Sequence, residues 1–187
     1  SVSWLGDVYK RQAAHTPLQA PRREIEKMLP FYNGKSPHAI ASKRLEKQEL
    51  LGIVPPTAKL GMAGKFNPEG YGKISAKRKD YIAECMAAYA AQIAIMDRGI
   101  GRILASLERH RLSDNTIVMF LSDNGATAEM PQNNKNKKTT LPTGPLGEVG
   151  CRDGYGPMWA AVSNTPYRQY KICLLYTSPS PRDRSVS

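Results

Sequence analysis

The sequence predicts an α/β fold, because a long amphipathic helix is followed, after a short polar turn, by a strand-like apolar run. Apolar residues recur at alternating steps of four and three over residues 76–112, which indicates one apolar stripe on a helix. Residues 117–121 (IVMFL) then form an unbroken apolar run, as expected for a strand buried on both faces. A helix joined to a buried strand is half of a βαβ crossover, the unit from which α/β domains are built.

The apolar stripe of the long helix is predicted to lie in the core. Two glycines, Gly99 and Gly101, weaken the second half of the helix, so a bend or close packing is expected there. The residues of the stripe are Ile82, Met86, Tyr89, Ile93, Met96, Ile100, Ile103 and Leu107.

Shorter helices are predicted before this long one. The first covers residues 22–29, and the second covers residues 38–51 with Gly52 at the position that commonly follows a helix end. Residues 53–72 contain too many prolines and glycines for a regular element and are expected to form a surface excursion. Residues 126–155 show no periodicity and are expected to be loop-like.

Composition indicates a globular chain with a basic surface. The 187 residues are 41% hydrophobic and carry a net charge of +11, but the basic residues are scattered and form no platform with aromatic residues, so we expect no nucleic-acid partner. Cys85, Cys151 and Cys173 have no CxxC spacing, which indicates neither a zinc site nor a disulfide framework. No apolar run approaches the length of a membrane span.

The two ends of the chain are expected to be foreign to the fold. Residues 7–12 (DVYKRQ) and 173–177 (CLLYT) can be encoded by opposite strands of one DNA sequence, and this inverted repeat resembles translated sequencing-library adaptor. We therefore expect residues 1–12 and 172–187 to be adaptor-derived, as a metagenomic source would explain. Residues 13–171 would then be an internal fragment of a longer protein.

Two oxygen-bearing side chains follow the predicted strand. Asp123 and Asn124 lie at its carboxyl end, where open α/β sheets place ligands. A carboxylate beside an amide carbonyl suits Ca²⁺ or Mg²⁺, although two ligands are too few to hold a cation. The alternative is an ordinary turn, because Asp-Asn-Gly is typical turn chemistry. From these residues alone the turn is the favoured interpretation.

Two further candidate residues lie on predicted loops. His15 belongs to the segment AAHTPLQAP, which suits an extended loop, and a histidine there can contact an anion or move a proton near neutral pH. Lys171 is a cation on a second predicted loop. The alternatives are a histidine hydrogen-bonded to backbone and a solvent-exposed lysine.

Four segments together resemble the type I sulfatases of the arylsulfatase family. The resemblance rests on their order and spacing, and it spans nearly all of residues 13–171. It implies an alkaline-phosphatase-like α/β fold with a mixed sheet between helices. The segments are HTPLQAP from His15, YAAQIAIMDRGIGRILASLERH in the long helix, FLSDNG at the end of the strand, and YGPMWAAVSNTPYRQYK.

The resemblance implies roles for the four candidate residues. Asp123 and Asn124 match the family's Asp-Asn pair, which holds one Ca²⁺ together with two aspartates from an earlier strand. His15 matches the histidine that contacts the sulfate. Lys171 falls where a sulfate-binding lysine is expected, although the family's E-G-G segment does not follow it. Both His15 and Lys171 are thus candidate catalytic and substrate-binding residues.

The family's nucleophile is a formylglycine made from Cys or Ser in the motif C/S-x-P-x-R. This sequence contains no such motif, and it also lacks the early Asp-Asp pair. The resemblance therefore implies a parent enzyme that hydrolyses sulfate esters, either small molecules or sulfated glycans, in the periplasm or outside the cell. The fragment alone is expected to be inactive, and its oligomeric state is open.

Two other functions are alternatives to sulfate-ester hydrolysis. A phosphodiesterase or phosphatase of the same superfamily usually holds two zinc ions with several Asp and His residues, but this chain has three histidines and none is near Asp123 in sequence. A non-catalytic polyanion-binding protein would use basic loops such as residues 135–138. Its binding would weaken steeply as the salt concentration rises.

Overall fold

Helices dominate the computed structural model, which describes residues 14–61, 71–122, 124–128, 144–167 and 170. The helices predicted over residues 22–29, 38–51 and 76–112 are confirmed, and a helix after Tyr155 was not predicted. The described residues include the α-helices α1 (Arg22–Met28), α2 (Pro37–Leu50), α3 (Ala76–Arg109) and α4 (Gly156–Ser163). Short 3₁₀ helices follow at Leu29–Phe31 and Ser113–Asn115.

Serine caps fix where the two longer helices begin. The Ser36 hydroxyl accepts a hydrogen bond from the backbone N–H of Ala39, and Pro37 occupies the first position of α2. Ser75 caps α3 in the same way by accepting from the N–H of Arg78. At the other end of α2, Gly52 has a φ of +67°, the left-handed conformation that commonly terminates a helix.

The core lies around the first half of α3. That half presents a run of small buried residues, so neighbouring elements approach its backbone closely, and α1 packs directly against it. The α1 residue Ile25 and the α4 residue Trp159 are fully buried in the same cluster. The buried α3 residues are Ile82, Ala83, Cys85, Met86, Ala87, Ala88, Ala91, Gln92 and Gly99.

The predicted stripe on α3 is buried over only part of its length. Ile82 and Met86 belong to the core, as predicted. Ile93 and Ile103 are instead 40% and 43% exposed, so the prediction that the whole stripe is core was wrong for this second half. The buried residues of α3 run from Ile82 to Gln92, with Gly99 beyond them, so the elements packed against the helix cover mainly its first half.

The segment predicted as a buried strand is exposed in the structure. Residues 117–121 are between 56% and 83% exposed and form no strand, which corrects the prediction that both faces are covered. Thr116, at the start of the run, has an extended backbone with φ −132° and ψ 124°. Among the described residues no strand lies beside this run to pair with it. The mixed sheet therefore stays a prediction.

One parallel bridge joins distant parts of the chain. It pairs Gln19 with Gly147, and the N–H of Ala20 donates to the Gly147 carbonyl at 3.1 Å. Gly147 has a φ of +94°, and a Cβ there would lie 2.7 Å from Cδ1 of Ile25 and 2.9 Å from the carbonyl oxygen of Ala20. Only glycine fits this contact.

Both described cysteines are free and buried. Cys85 on α3 and Cys151 before α4 are not joined to each other, and Cys173 lies outside the described residues. Burial in the core raises the pKa of the Cys85 thiol, and the nearby Asp153 carboxylate raises it further. Within the described ranges, no helix is long and apolar enough to cross a membrane.

Candidate functional site

His15 lies on an irregular, half-buried loop before α1, as predicted. Its ring Nδ1 is 2.8 Å from the carbonyl oxygen of Thr16 and 3.1 Å from the Thr16 hydroxyl. Because a carbonyl oxygen only accepts hydrogen bonds, the shorter contact assigns a proton to Nδ1. The other ring nitrogen, Nε2, is then the one that can bind a ligand or exchange a proton with it.

The backbone that follows His15 is held from one side by the loop before α4. Leu18 is fully buried, its N–H donates to the carbonyl of Asp153 at 3.1 Å, and its own carbonyl accepts from the N–H of Gly147 at 3.1 Å. The buried Asp153 carboxylate in turn accepts a hydrogen bond from the Tyr81 hydroxyl on α3. The His15 loop is therefore built into the core through Leu18.

A side chain of α3 holds the same loop from the other side. Nε2 of Gln92 donates to the carbonyl oxygens of Pro17 at 3.0 Å and Gln19 at 3.3 Å. The Gln92 residue is only 8% exposed. Both faces of the extended chain after His15 are thus hydrogen-bonded.

Asn124 lies at an exposed bend beyond the apolar run of residues 117–121. The Ser122 hydroxyl donates to the Asn124 carbonyl at 2.8 Å, and the N–H of Ala126 donates to Oδ1 of Asn164 at 3.0 Å. Asn164 caps the end of α4, so the turn is fixed to that helix. The backbone bends at Asn124, and this residue is exposed. Asp123 lies outside the described residues.

The structure describes two of the four predicted site residues, since Lys171 also lies outside the described residues. It places His15 and Asn124 on separate loops that rest on a common core, because Leu18 and Ala126 pack in the same hydrophobic cluster. That the four residues share one site stays a prediction.

The donor set at the Asp-Asn turn suits a hard cation in kind but not in number. Asp123 and Asn124 supply one carboxylate and one amide oxygen, both of which Ca²⁺ and Mg²⁺ accept as ligands. Over the described ranges, no group of three His, Cys, Asp or Glu residues is arranged to hold a metal ion. Any bound cation would need further ligands from other residues.

Gln92 and Asn164 were not singled out as site residues from the sequence. Gln92 follows Tyr89 by three residues and therefore shares the apolar face of α3, where a buried amide requires partners. That polar residue on an apolar face was the available signal. For Asn164 the sequence carried no signal beyond turn chemistry, because its hydrogen-bond partner Ala126 is remote in sequence.

Comparison with known proteins identifies relatives of one kind. The sequence model of the sulfatase family matches residues 12–152. An uncharacterised sulfatase of Schizosaccharomyces pombe is 30% identical over 166 residues, which cover 85% of this chain and 30% of that protein. An arylsulfatase of Klebsiella aerogenes is 31% identical over 165 residues, which cover 84% of this chain and 34% of that protein. The chain thus spans about a third of the length of these curated relatives.

Proposed function

Because the chain belongs to the sulfatase family, we propose that it is part of the catalytic domain of an enzyme that hydrolyses sulfate esters. The family match implies an alkaline-phosphatase-like α/β fold. We propose further that residues 116–121 become a strand of its mixed sheet when the neighbouring strands of the whole enzyme lie beside them. Residues 117–121 are apolar and exposed, and no strand of the described residues pairs with them, which supports that proposal.

The geometry of His15 is the observation that best supports the proposed chemistry. Its Nδ1 is engaged by the Thr16 carbonyl, and its loop is fixed on both sides. In the protonated ring, Nε2–H can donate to a sulfate oxygen or to the departing alcohol oxygen. Lys171 is proposed to place a second positive charge near the sulfuryl oxygens.

We propose Asp123 and Asn124 as two ligands of a Ca²⁺ ion, with Mg²⁺ as the less suitable cation. Such a cation, when bound, offsets the negative charge of the sulfuryl group. The remaining ligands and the formylglycine nucleophile would come from other parts of the parent enzyme. The substrate class is a small aryl sulfate or a sulfated glycan, and the sulfate group common to both is what His15 and Lys171 would recognise.

The test uses the longer protein that contains this chain, with 4-nitrophenyl sulfate as the probe. We expect Asp123→Ala to lower kcat/KM by at least about 100-fold, the scale seen when a charge-stabilising group is lost. Asp114→Ala is the matched control, because it removes the same charge from an exposed 3₁₀ helix just before the apolar run of residues 117–121. Unchanged activity of Asp123→Ala would refute the metal-ligand assignment.

Two further measurements separate the alternatives. Faster hydrolysis of 4-nitrophenyl phosphate than of the sulfate would favour a phosphatase of the same superfamily. Binding to heparin without any sulfate-ester hydrolysis, and with a steep loss of affinity on adding salt, would favour a polyanion-binding protein. We expect neither result.

A further inference from the structure

We propose that Gln92 is a positioning residue that holds His15 in its ligand-binding orientation. The inference rests on the proposed role of His15 in binding sulfate. Gln92 lies on α3, and its amide makes two hydrogen bonds to the backbone shortly after His15, at Pro17 and Gln19.

The two carbonyls that Gln92 binds share one face of the loop. In an extended chain successive backbone groups point to opposite sides, so the carbonyls of Pro17 and Gln19 point one way and the polar groups of Leu18 point the other way. The Leu18 groups are bonded to Asp153 and Gly147. The amide of Gln92 binds both carbonyls on the opposite face, at 3.0 and 3.3 Å.

Through these hydrogen bonds, the position of α3 affects the orientation of the His15 ring. Thr16 directly precedes Pro17, and the Thr16 carbonyl is the group that fixes Nδ1 of His15. A shift of the Pro17 carbonyl therefore turns the peptide that orients the ring. The Leu18 N–H belongs to the same peptide group as the Pro17 carbonyl, so the bonds to Asp153 and Gln92 hold that peptide from opposite sides, and loss of the Gln92 bond leaves it held from one side only.

The Gln92 side chain is not arranged for the best stability. Its Oε1 atom is buried and has no hydrogen-bond partner among the described residues. A buried acceptor without a partner is unfavourable, whereas an apolar residue of the same length would leave no such atom. The amide is thus oriented so that its nitrogen donates two hydrogen bonds while its carbonyl oxygen accepts none from the described residues. This orientation is expected of a residue that serves a nearby site.

Gln92→Met and Gln92→Lys form the informative pair of variants. Both side chains are unbranched and close to glutamine in length, but only the lysine ammonium can donate to two carbonyls. We expect the methionine variant to retain a melting temperature close to that of the wild type, because Pro17 and Gln19 are exposed, so water can bond their carbonyls, and because the variant also removes the unpaired acceptor. We expect the lysine variant to restore the position of the loop.

The first measurement is made on the 187-residue chain, which contains three histidines. With ¹³C-labelled histidine, we expect His15 to give one sharp ring signal in the wild type. The signal should broaden or split in Gln92→Met and sharpen again in Gln92→Lys. His38 on α2 and His110 at the end of α3 serve as internal controls and should not change. An unchanged His15 signal in Gln92→Met would overturn the proposal.

The second measurement uses 4-nitrophenyl sulfate and the longer enzyme. We expect Gln92→Met to lower kcat/KM by about 10- to 100-fold, with partial recovery in Gln92→Lys, as seen when groups that orient a ligand are removed. A large fall in melting temperature for Gln92→Met, or equal losses of activity in both variants, would show a merely structural role and overturn the proposal. A wild-type enzyme without sulfatase activity would refute the proposed function, while the His15 signal would still decide the role of Gln92.

Discussion

The guanidinium of Arg98 donates a 2.9 Å hydrogen bond to the Glu24 carboxylate. This bond joins α3 to α1, and the Glu24 side chain is buried. Lys27 donates to the other oxygen of the same carboxylate at 2.9 Å. The hydrogen bond from Lys27, followed by that from Arg98, holds the pKa of Glu24 below its usual value of 4.5. The Arg98–Glu24 hydrogen bond holds α1, and therefore the end of the His15 loop, against α3.

In Glu24→Gln, the free energy of unfolding should therefore fall less steeply as the pH is lowered into the acid range. A carboxyl group with a lowered pKa in the folded state stabilises the fold above its unfolded pKa, and that contribution is lost as the pH falls through the folded pKa. We expect urea unfolding from about pH 7 to about pH 3 to show a smaller loss of stability in Glu24→Gln than in the wild type. Glu26→Gln, at an exposed carboxyl on the same helix, should behave like the wild type.

Leu18→Ala should destabilise the protein strongly, because Leu18 is fully buried. The expected cost is about 2–5 kcal/mol, the range for removing a buried leucine side chain from a packed core. Leu50→Ala is the matched control, since Leu50 is 87% exposed and the same truncation there should change stability by no more than about 0.5 kcal/mol. Chemical unfolding of both variants measures the difference. Equal effects would contradict the burial of Leu18.

Cys85 should resist alkylation while the protein is folded. Its thiol is fully buried and its pKa is raised, so little of the reactive thiolate forms near neutral pH. With iodoacetamide, site-resolved mass spectrometry should find Cys85 modified only after unfolding. Ser113→Cys adds an exposed thiol for comparison and should react in the folded state.

The exposed apolar run should promote association of the chain with itself. Residues 117–121 combine strand-forming side chains with high exposure and carry no charge, a combination typical of segments that aggregate. We expect Val118→Lys to reduce light scattering on heating without lowering the melting temperature. Leu50→Lys adds the same charge on an exposed helical surface and should leave the scattering unchanged. Equal scattering by the wild type and Val118→Lys would contradict this prediction.

The helices could be predicted from the sequence because their signals are local. The periodic spacing from Ile82 to Leu107 defines α3, and a capping serine or a terminal glycine marks where a helix starts or stops. The short helix α4 was not predicted, because its eight residues are too few for a periodic pattern to stand out.

Burial could not be predicted in the same way, because it depends on what lies beside a segment. Met86 and Ile103 belong to one apolar stripe, yet Met86 is buried, where α1 and α4 contribute to the core, and Ile103 is exposed. Phe120, in the apolar run of residues 117–121, is exposed as well. Hydrogen bonds between distant residues, such as that of Gln92 to Pro17, also leave no mark in local spacing. His15 itself could be placed on a loop from its prolines, but the contacts that orient it could not.

The bridge between Gln19 and Gly147 also has a consequence for the order of folding. During synthesis the segment around His15 leaves the ribosome well before Gly147 and Asp153, which supply its backbone partners. Contacts between residues so distant in sequence form slowly, because a long loop has to close first. We therefore expect the loop that carries the proposed sulfate-binding histidine to be made early but to become ordered late, after α3 is complete.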